Sequence, residues 1–356
     1  MELYKPKTIE ELKGLVDNYS IGLGNIDTSL IDDMTGLFKD SIRKDFSGIE
    51  NWDVSNVVVM TSMFENCTHF NADLSNWNTK SLEYADLLFS KCPSFTSDLS
   101  SWDVSNVLTM RAMFQDCNSF QSDLSKWQTS NCLDVSHLFE NCKLFNSDLS
   151  SWGVSHVTNM TNMFSGCTKF TSDLSKWNTE KVFSMENMFL DCVIFNSDLS
   201  KWNLSEVRYV SSMFCGCYKF NSDLSKWDVS RVDDTSFMFY GCSSFSSDLS
   251  QWNVSNVKDM TSMFEECISF YSDLSKWNVS NVESMFMMFS GCTLFNSDVS
   301  NWNVSKVEDI ALIFNGCRSF NSDVSKWQLN ETIDIDIKLD MFREVPNMYK
   351  LLNEID

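Results

Sequence analysis

The chain has 356 residues, 43% of them apolar, and a net charge of −22. That charge repels phosphate backbones and anionic lipid, so nucleic acid and membrane surfaces are excluded as charge-driven partners, and a basic protein is what charge would favour. Gly and Pro number only 11 and 3, which excludes a glycine-rich calcium-binding β-helix and a low-complexity chain.

The N-terminus, Met-Glu-Leu-Tyr-Lys-Pro-Lys-Thr, carries no secretory apolar stretch, and no run reaches membrane-spanning length. A cytoplasmic chain without membrane insertion is therefore expected. Residues 1–50 read as a lead-in and degenerate capping coil. Thr8 with Glu11 three residues on forms a capping box, and Ile9, Leu12 and Leu15/Val16 have helical spacing, so residues 8–19 are expected to be an amphipathic helix. Met34-Thr-Gly-Leu-Phe38 then anticipates Met60-Thr-Ser-Met-Phe64 at 26 residues, a first coil with one residue too many. A solenoid needs such an atypical end to cover its open apolar face.

From residue 51 to 325 a 25-residue unit repeats eleven times without insertion or deletion. Phe70-Asn-Ala-Asp-Leu-Ser-Asn-Trp77 returns as Phe95 to Trp102 and so on to Phe320 to Trp327, and all twelve Trp occupy one repeat position. Trp52 and Val54 alternate as in a strand. Val57, Met60, Met63/Phe64, Cys67 and Phe70 then recur every three or four residues, as in short helical or 3-10 pieces. One unit cannot close a core alone, whereas stacked units can. The expected fold is an α/β repeat solenoid, leucine-rich-repeat-like, with short parallel strands on one face and short helical segments on the other. About twelve coils at about 5 Å per rung give a length of roughly 60 Å. Thr235, in the slot of Met60, is a polar residue at a core position.

The repeat fails at Trp327-Gln-Leu-Asn-Glu. Residues 326–356 read as a C-terminal cap, with a final strand from the alternation of Ile333, Ile335 and Ile337 and a helical lid from Met341-Phe342 and Tyr349 to Leu352. No Gly/Ser/Pro linker interrupts the chain, so one domain is expected.

The unit Trp-Asp-Val-Ser-Asn-Val-x-x-Met-x-x-Met-Phe-x-x-Cys-x-x-Phe-Asn-x-Asp-Leu-Ser-x-Trp resembles the BspA-like, leucine-rich-repeat surface proteins, as does the lead-in Pro6-Lys-Thr-x-x-Glu-Leu-Lys13. The resemblance covers nearly the whole chain. It implies a curved solenoid with a parallel sheet on one face, and a role in surface display, adhesion or binding of host proteins. Members occur in mollicutes and other bacteria, protists and large DNA viruses. Bacterial surface members begin with a signal peptide or lipoprotein Cys, and this start has neither, so an intracellular or virus-encoded member is expected.

Several repeated residues invite chemistry. The Asp column (Asp73, 98, 123, 148, 173, 198, 223, 248, 273, 298 and 323) either binds cations such as Ca²⁺ or accepts backbone N–H groups at the turn after Phe. Like charges about 5 Å apart cost on the order of 0.8 kcal/mol per neighbour in water, which turn bonding or Lys three residues on would offset. The Ser column from Ser75 to Ser325 lacks a matching base, because His69, His137 and His156 sit at three different repeat positions. Ser is therefore expected to serve the turn. Eleven of the thirteen Cys share one core position, and Cys132 sits in a Val slot. Free buried thiols are expected, although stacked rungs would permit disulfides. Neither a metal site nor a cofactor is expected, and Cys215-x-Cys217 has no second pair to complete a zinc site.

The polar position after each Trp (Asp53, Asn78, Asp103, Gln128, Asn178, Asn203, Asp228, Asn253, Asn278 and Asn303) is expected to point outward from the sheet face. There it serves either as an extended partner-binding surface or as a solvated structural face. The expected function is a monomeric, non-catalytic protein-interaction module, with a surface or virion display protein as the alternative.

Overall fold

The computed structural model describes residues 3–331 and 333–346. The chain forms two compact units, Met1–Asn178 and Thr179–Asp356.

The first unit opens with α1, Ile9–Val16. Thr8 Oγ1 accepts from Glu11 N–H, and the Glu11 carboxylate reaches back to Lys7 N–H at 2.7 Å. Leu12 and Val16 are its buried face. The helix end is held by a residue the sequence did not single out. Buried Arg43 donates to the Val16 carbonyl at 2.8 Å and lays its guanidinium 4.7 Å from the centre of the Tyr19 ring. A cation on the C-terminal carbonyls complements the helix dipole.

Each following coil is a string of turns. Val57 N–H bonds Val54 O, Met63 bonds Met60, Glu65 bonds Ser62, Cys67 bonds Phe64, Phe70 bonds Cys67 and Trp77 bonds Leu74, always three residues back. The amides in between point to the next coil: Met60 N–H to Tyr84 O, Ser62 to Asp86, Phe64 to Leu88 and Asn66 to Ser90, at 2.8–2.9 Å. Ser62 and Asn66 have φ of 55° and 59°, and the equivalent two residues of the later coils also have positive φ. An i→i+3 turn with a left-handed third residue is the type II pattern.

This corrects the expected strands and helices. Trp52 and Val54 belong to no strand, and the parallel pairing is reduced to single bridges such as Val59 to Tyr84 and Tyr84 to Thr109. Among the described residues from Trp52 to Glu331 there is no α or 3-10 helix. The three-to-four spacing of apolar residues marks successive turn corners, because two left-handed residues per coil break any helical run.

The core is a set of aromatic stacks. In the first unit Phe64, Phe89, Phe114 and Phe139 lie ring on ring at 5.6–5.8 Å, and Trp77 stacks on Trp102 at 6.2 Å. In the second unit Phe214, Phe239, Phe264 and Phe289 repeat this at 5.6–5.7 Å. These Phe rings are fully buried, and each contributes about 1.5–3 kcal/mol of apolar burial. The first coil's one extra residue is a net count: Phe38 and Phe46 are eight residues apart where Phe64 and Phe70 are six, and Phe46 to Trp52 is one residue shorter than Phe70 to Trp77. Phe38 still stacks on Phe64 at 5.4 Å, but Phe46 meets Phe70 edge-on at 86°. Gly48 is needed here. It has φ of 96°, and a Cβ on it would lie 2.2 Å from Gly24 N.

The second unit ends on a helix where a strand was expected. The helix α2, Ile335–Asp340, is capped by the Asp334 side chain accepting from Ile337 N–H at 3.0 Å. The alternating isoleucines gave the wrong period because Asp334 is a cap: Ile335 is 66% exposed while Ile333 is buried. Met341 and Phe342 are buried, as expected of a lid, but follow the helix in a turn. Their segment covers the open edge of the last coil, with Phe314 N–H bonding Met341 O and Gly316 N–H bonding Arg343 O. Phe342 completes the Phe314 stack at 5.8 Å. Tyr349 to Leu352 lie outside the described residues.

Candidate functional site

The repeated polar residues have internal roles. Each Asp of the column accepts the backbone N–H two residues on, as Ser75 N–H to Asp73 and Ser275 N–H to Asp273, both at 2.9 Å. These bonds hold the Asp73 carboxyl below the usual range, and repulsion from Asp98 is the weakest of the influences on it. For Asp123, Lys126 helps in the same direction, also weakly. The turn geometry offsets the like-charge column.

A second Ser column went unread in the sequence. The residue before each Asp is Ser in every full unit but the first, from Ser97 to Ser322. Ser147 Oγ accepts Leu124 N–H from the preceding coil at 2.8 Å and donates to Asp123 at 3.4 Å. The first copy is Ala72, and the amide it would serve, Ile49 N–H, bonds Phe46 O instead. The uniform Phe-x-Ser-Asp was the available signal.

The other columns are equally committed. Trp102 Nε1–H donates to Leu74 O at 3.0 Å, and its counterparts do likewise one coil back. The thirteen cysteines are free. Those of the core column donate to Phe carbonyls of the preceding coil, as Cys117 to Phe89 O at 3.0 Å. Burial pushes the Cys67 thiol up to about 11 and Cys132 up to about 12. Thr235 is fully buried and donates to Asp259 O at 3.2 Å, which explains a polar residue in a Met slot.

Of the expected partner-binding column, Asp53, Asn78, Asp103, Gln128 and Asn178 of the first unit are exposed, as are Asn203, Asp228, Asn253, Asn278 and Asn303 of the second. They do not stand on a sheet face. They open the turn after Trp, and most accept the amide two residues on, for example Ser105 N–H to Asp103 and Ser255 N–H to Asn253. Gln128, with a longer side chain, donates instead to Lys126 O. The hydrogen-bonded face is the stretch equivalent to residues 58–68.

That stretch varies between coils. In the second unit it exposes Phe183, Tyr209, Tyr218, Phe237 and Tyr240, at 37–51% of their surface. Phe183 and Tyr209 meet at 6.4 Å, and Phe237 and Tyr240 at 6.2 Å. Next to Tyr240 stand Glu265 and Glu266, which together with partial burial raise its hydroxyl pKa, Glu265 having the largest influence. Elsewhere in the same slots, charges are met within the chain. Lys39 pairs with Glu65 at 2.9 Å, and His137 with Glu140 at 2.7 Å. Among the described residues no three His, Cys, Asp or Glu converge to hold a metal ion, and no helix is long and apolar enough to cross a membrane.

Coils of fixed period with a constant interior and a variable outer strip define a tandem-repeat solenoid. The family described as "Mycoplasma protein of unknown function, DUF285" matches residues 10–127, 86–172, 133–252 and 238–354. The chain belongs to this family. No curated protein sequence matches it. Among solved structures, a leucine-rich repeat protein from Bacteroides ovatus is 14% identical over 87% of this chain and 85% of its own, with a TM-score of 0.34. The functional domain of InlJ from Listeria monocytogenes, which includes a cysteine ladder, is 10% identical over 88% and 72%, with a TM-score of 0.33.

Proposed function

We propose that the chain is a non-catalytic repeat solenoid that binds another protein through the variable strip of its coils. One observation supports this above the rest: the repeated Asp, Ser, Trp and Cys groups bond within the chain, whereas the strip equivalent to residues 58–68 changes from coil to coil and leaves aromatic rings in solvent. Exposed Tyr and Phe grouped on a rigid support are the residues that anchor protein interfaces. The polar column from Asp53 to Asn303 is the second face a partner can reach. Its side-chain oxygens already serve turns, which favours the strip.

A photo-reactive residue placed at Tyr209, and in a separate protein at Asn278, distinguishes the two faces in native lysate. A discrete adduct from position 209 and none from 278 supports the strip. Adducts from 278 alone would move the interface to the polar column, and no adduct from either would overturn the binding reading. Turnover of any substrate that disappears with His69, His137 or His156 would overturn the non-catalytic part.

A further inference from the structure

We propose that the corner formed by Tyr218, Phe237 and Tyr240 with Glu265 and Glu266 seats an arginine side chain from a basic segment of a partner protein. This deepens the interaction reading and rests on it. One slot is met differently from coil to coil. Glu65, Glu140 and Glu265 occupy equivalent positions. Glu65 has Lys39 from the preceding coil, and Glu140 has His137 from its own coil and Gln115 Nε2 from the preceding one at 2.7 Å. At Glu265 the two supplying slots hold Ser262 and Tyr240, and no Lys, Arg or His among the described residues pairs with it.

The carboxylate is half-buried, and that burial, reinforced by Glu266, raises its pKa although Ser262 bonds it. A half-buried acid beside a second acid is relieved by an incoming cation. The aromatic neighbours narrow the choice. Tyr240 and Phe237 are tilted 55° to one another, and the Tyr218 ring lies over Gly241, where a Cβ would touch it at 3.5 Å. A planar guanidinium stacks on such rings while forking onto a carboxylate, which a compact ammonium does less well. The net charge of −22 draws in a basic segment but does not localise it. The corner supplies the localisation.

The test uses fluorescein-labelled hexa-arginine and hexa-lysine peptides and the full chain at physiological salt, read by anisotropy, with melting curves to show that each variant is folded. Glu265→Gln and Tyr240→Leu should each weaken hexa-arginine about tenfold, the loss of roughly one well-placed charged contact. Tyr240→Phe keeps the ring and should stay within about twofold. Glu308→Gln removes one exposed charge elsewhere on the same unit and should also leave binding within about twofold. Equal weakening by Glu265→Gln and Glu308→Gln would show diffuse attraction only and overturn the site. Hexa-lysine bound as tightly as hexa-arginine would overturn the arginine assignment. If Glu265→Gln leaves the adduct formed at position 209 unchanged, this corner is not the seat, while the broader binding reading stands. Loss of every adduct in the parent protein would strike that broader reading alone.

Discussion

Phe114→Ala is the sharpest test of how the coils hold together. The Phe114 ring is fully buried and lies 5.8 Å from Phe89, 5.7 Å from Phe139 and 4.1 Å from Phe120, with Trp127 at 6.2 Å. Truncation removes one ring from a continuous stack and leaves a cavity that neighbours locked into their own coils cannot fill. The expected cost is about 3–5 kcal/mol. For a unit of this size each kcal/mol moves the midpoint by about 2–4 °C, so the transition containing residue 114 should fall by roughly 6–20 °C. Phe114→Leu, which retains most of the apolar volume, should cost about 1.5 kcal/mol. Calorimetry on both variants reads the difference. An alanine variant that melts with the parent would refute the claim that the Phe stack is the core.

Three further outcomes are expected. Ser147→Ala leaves buried Leu124 N–H without its acceptor and should lower stability by about 1–3 kcal/mol in urea unfolding, whereas Ala72→Ser in the first unit, where Ile49 N–H is already bonded, should add nothing comparable. Turn bonds depress the folded-state pKa of Asp73, Asp148 and Asp248. Their contribution is fully present above the unfolded value of about 4 and is lost as pH falls through the lower folded values, so the urea midpoint should drop between pH 5 and pH 3. An unchanged or higher midpoint at pH 3 would contradict the turn role. Cys215 is the one cysteine not fully buried, with burial still pushing its thiol up to about 11. A thiol reagent should modify Cys215 alone and slowly in the native protein, and all thirteen cysteines in denaturant.

The period, the interior and the roles of Asp and Cys were legible because eleven copies separate what a coil requires from what one site requires. Local conformation was not. Met60, Met63, Phe64 and Cys67 have the spacing of a helix, yet two left-handed residues per coil prevent one: the first, Ser62 here and Leu87 in the next coil, is of types that do not announce a positive φ, whereas the second, Gly, Asn or Asp in nine of the eleven coils, was a signal left unread. The polar column after Trp was correctly read as exposed but placed on a sheet, since Trp52-Asp-Val54 alternates whether its middle residue lines a strand or opens a turn. Phe237 and Tyr240 were hidden for another reason. They occur once each in their slots, and although the 25-residue period puts Tyr240 one coil before Glu265, it took the fold to show both rings in solvent beside the carboxylate.

Each coil divides into residues that build it and a strip proposed to bind, and a strip exchange tests that division directly. Replacing Tyr209 by Asn, Tyr218 by Thr, Phe237 by Ser and Tyr240 by Ser uses only residues already present at the equivalent positions: Asn159, Thr168, Ser212 and Ser165. Melting and hexa-arginine binding are then measured side by side on the same preparation. The expected result is a melting midpoint like the parent's with binding weakened to the level of diffuse charge attraction. Binding that survives the exchange, or a chain that no longer folds, would contradict it.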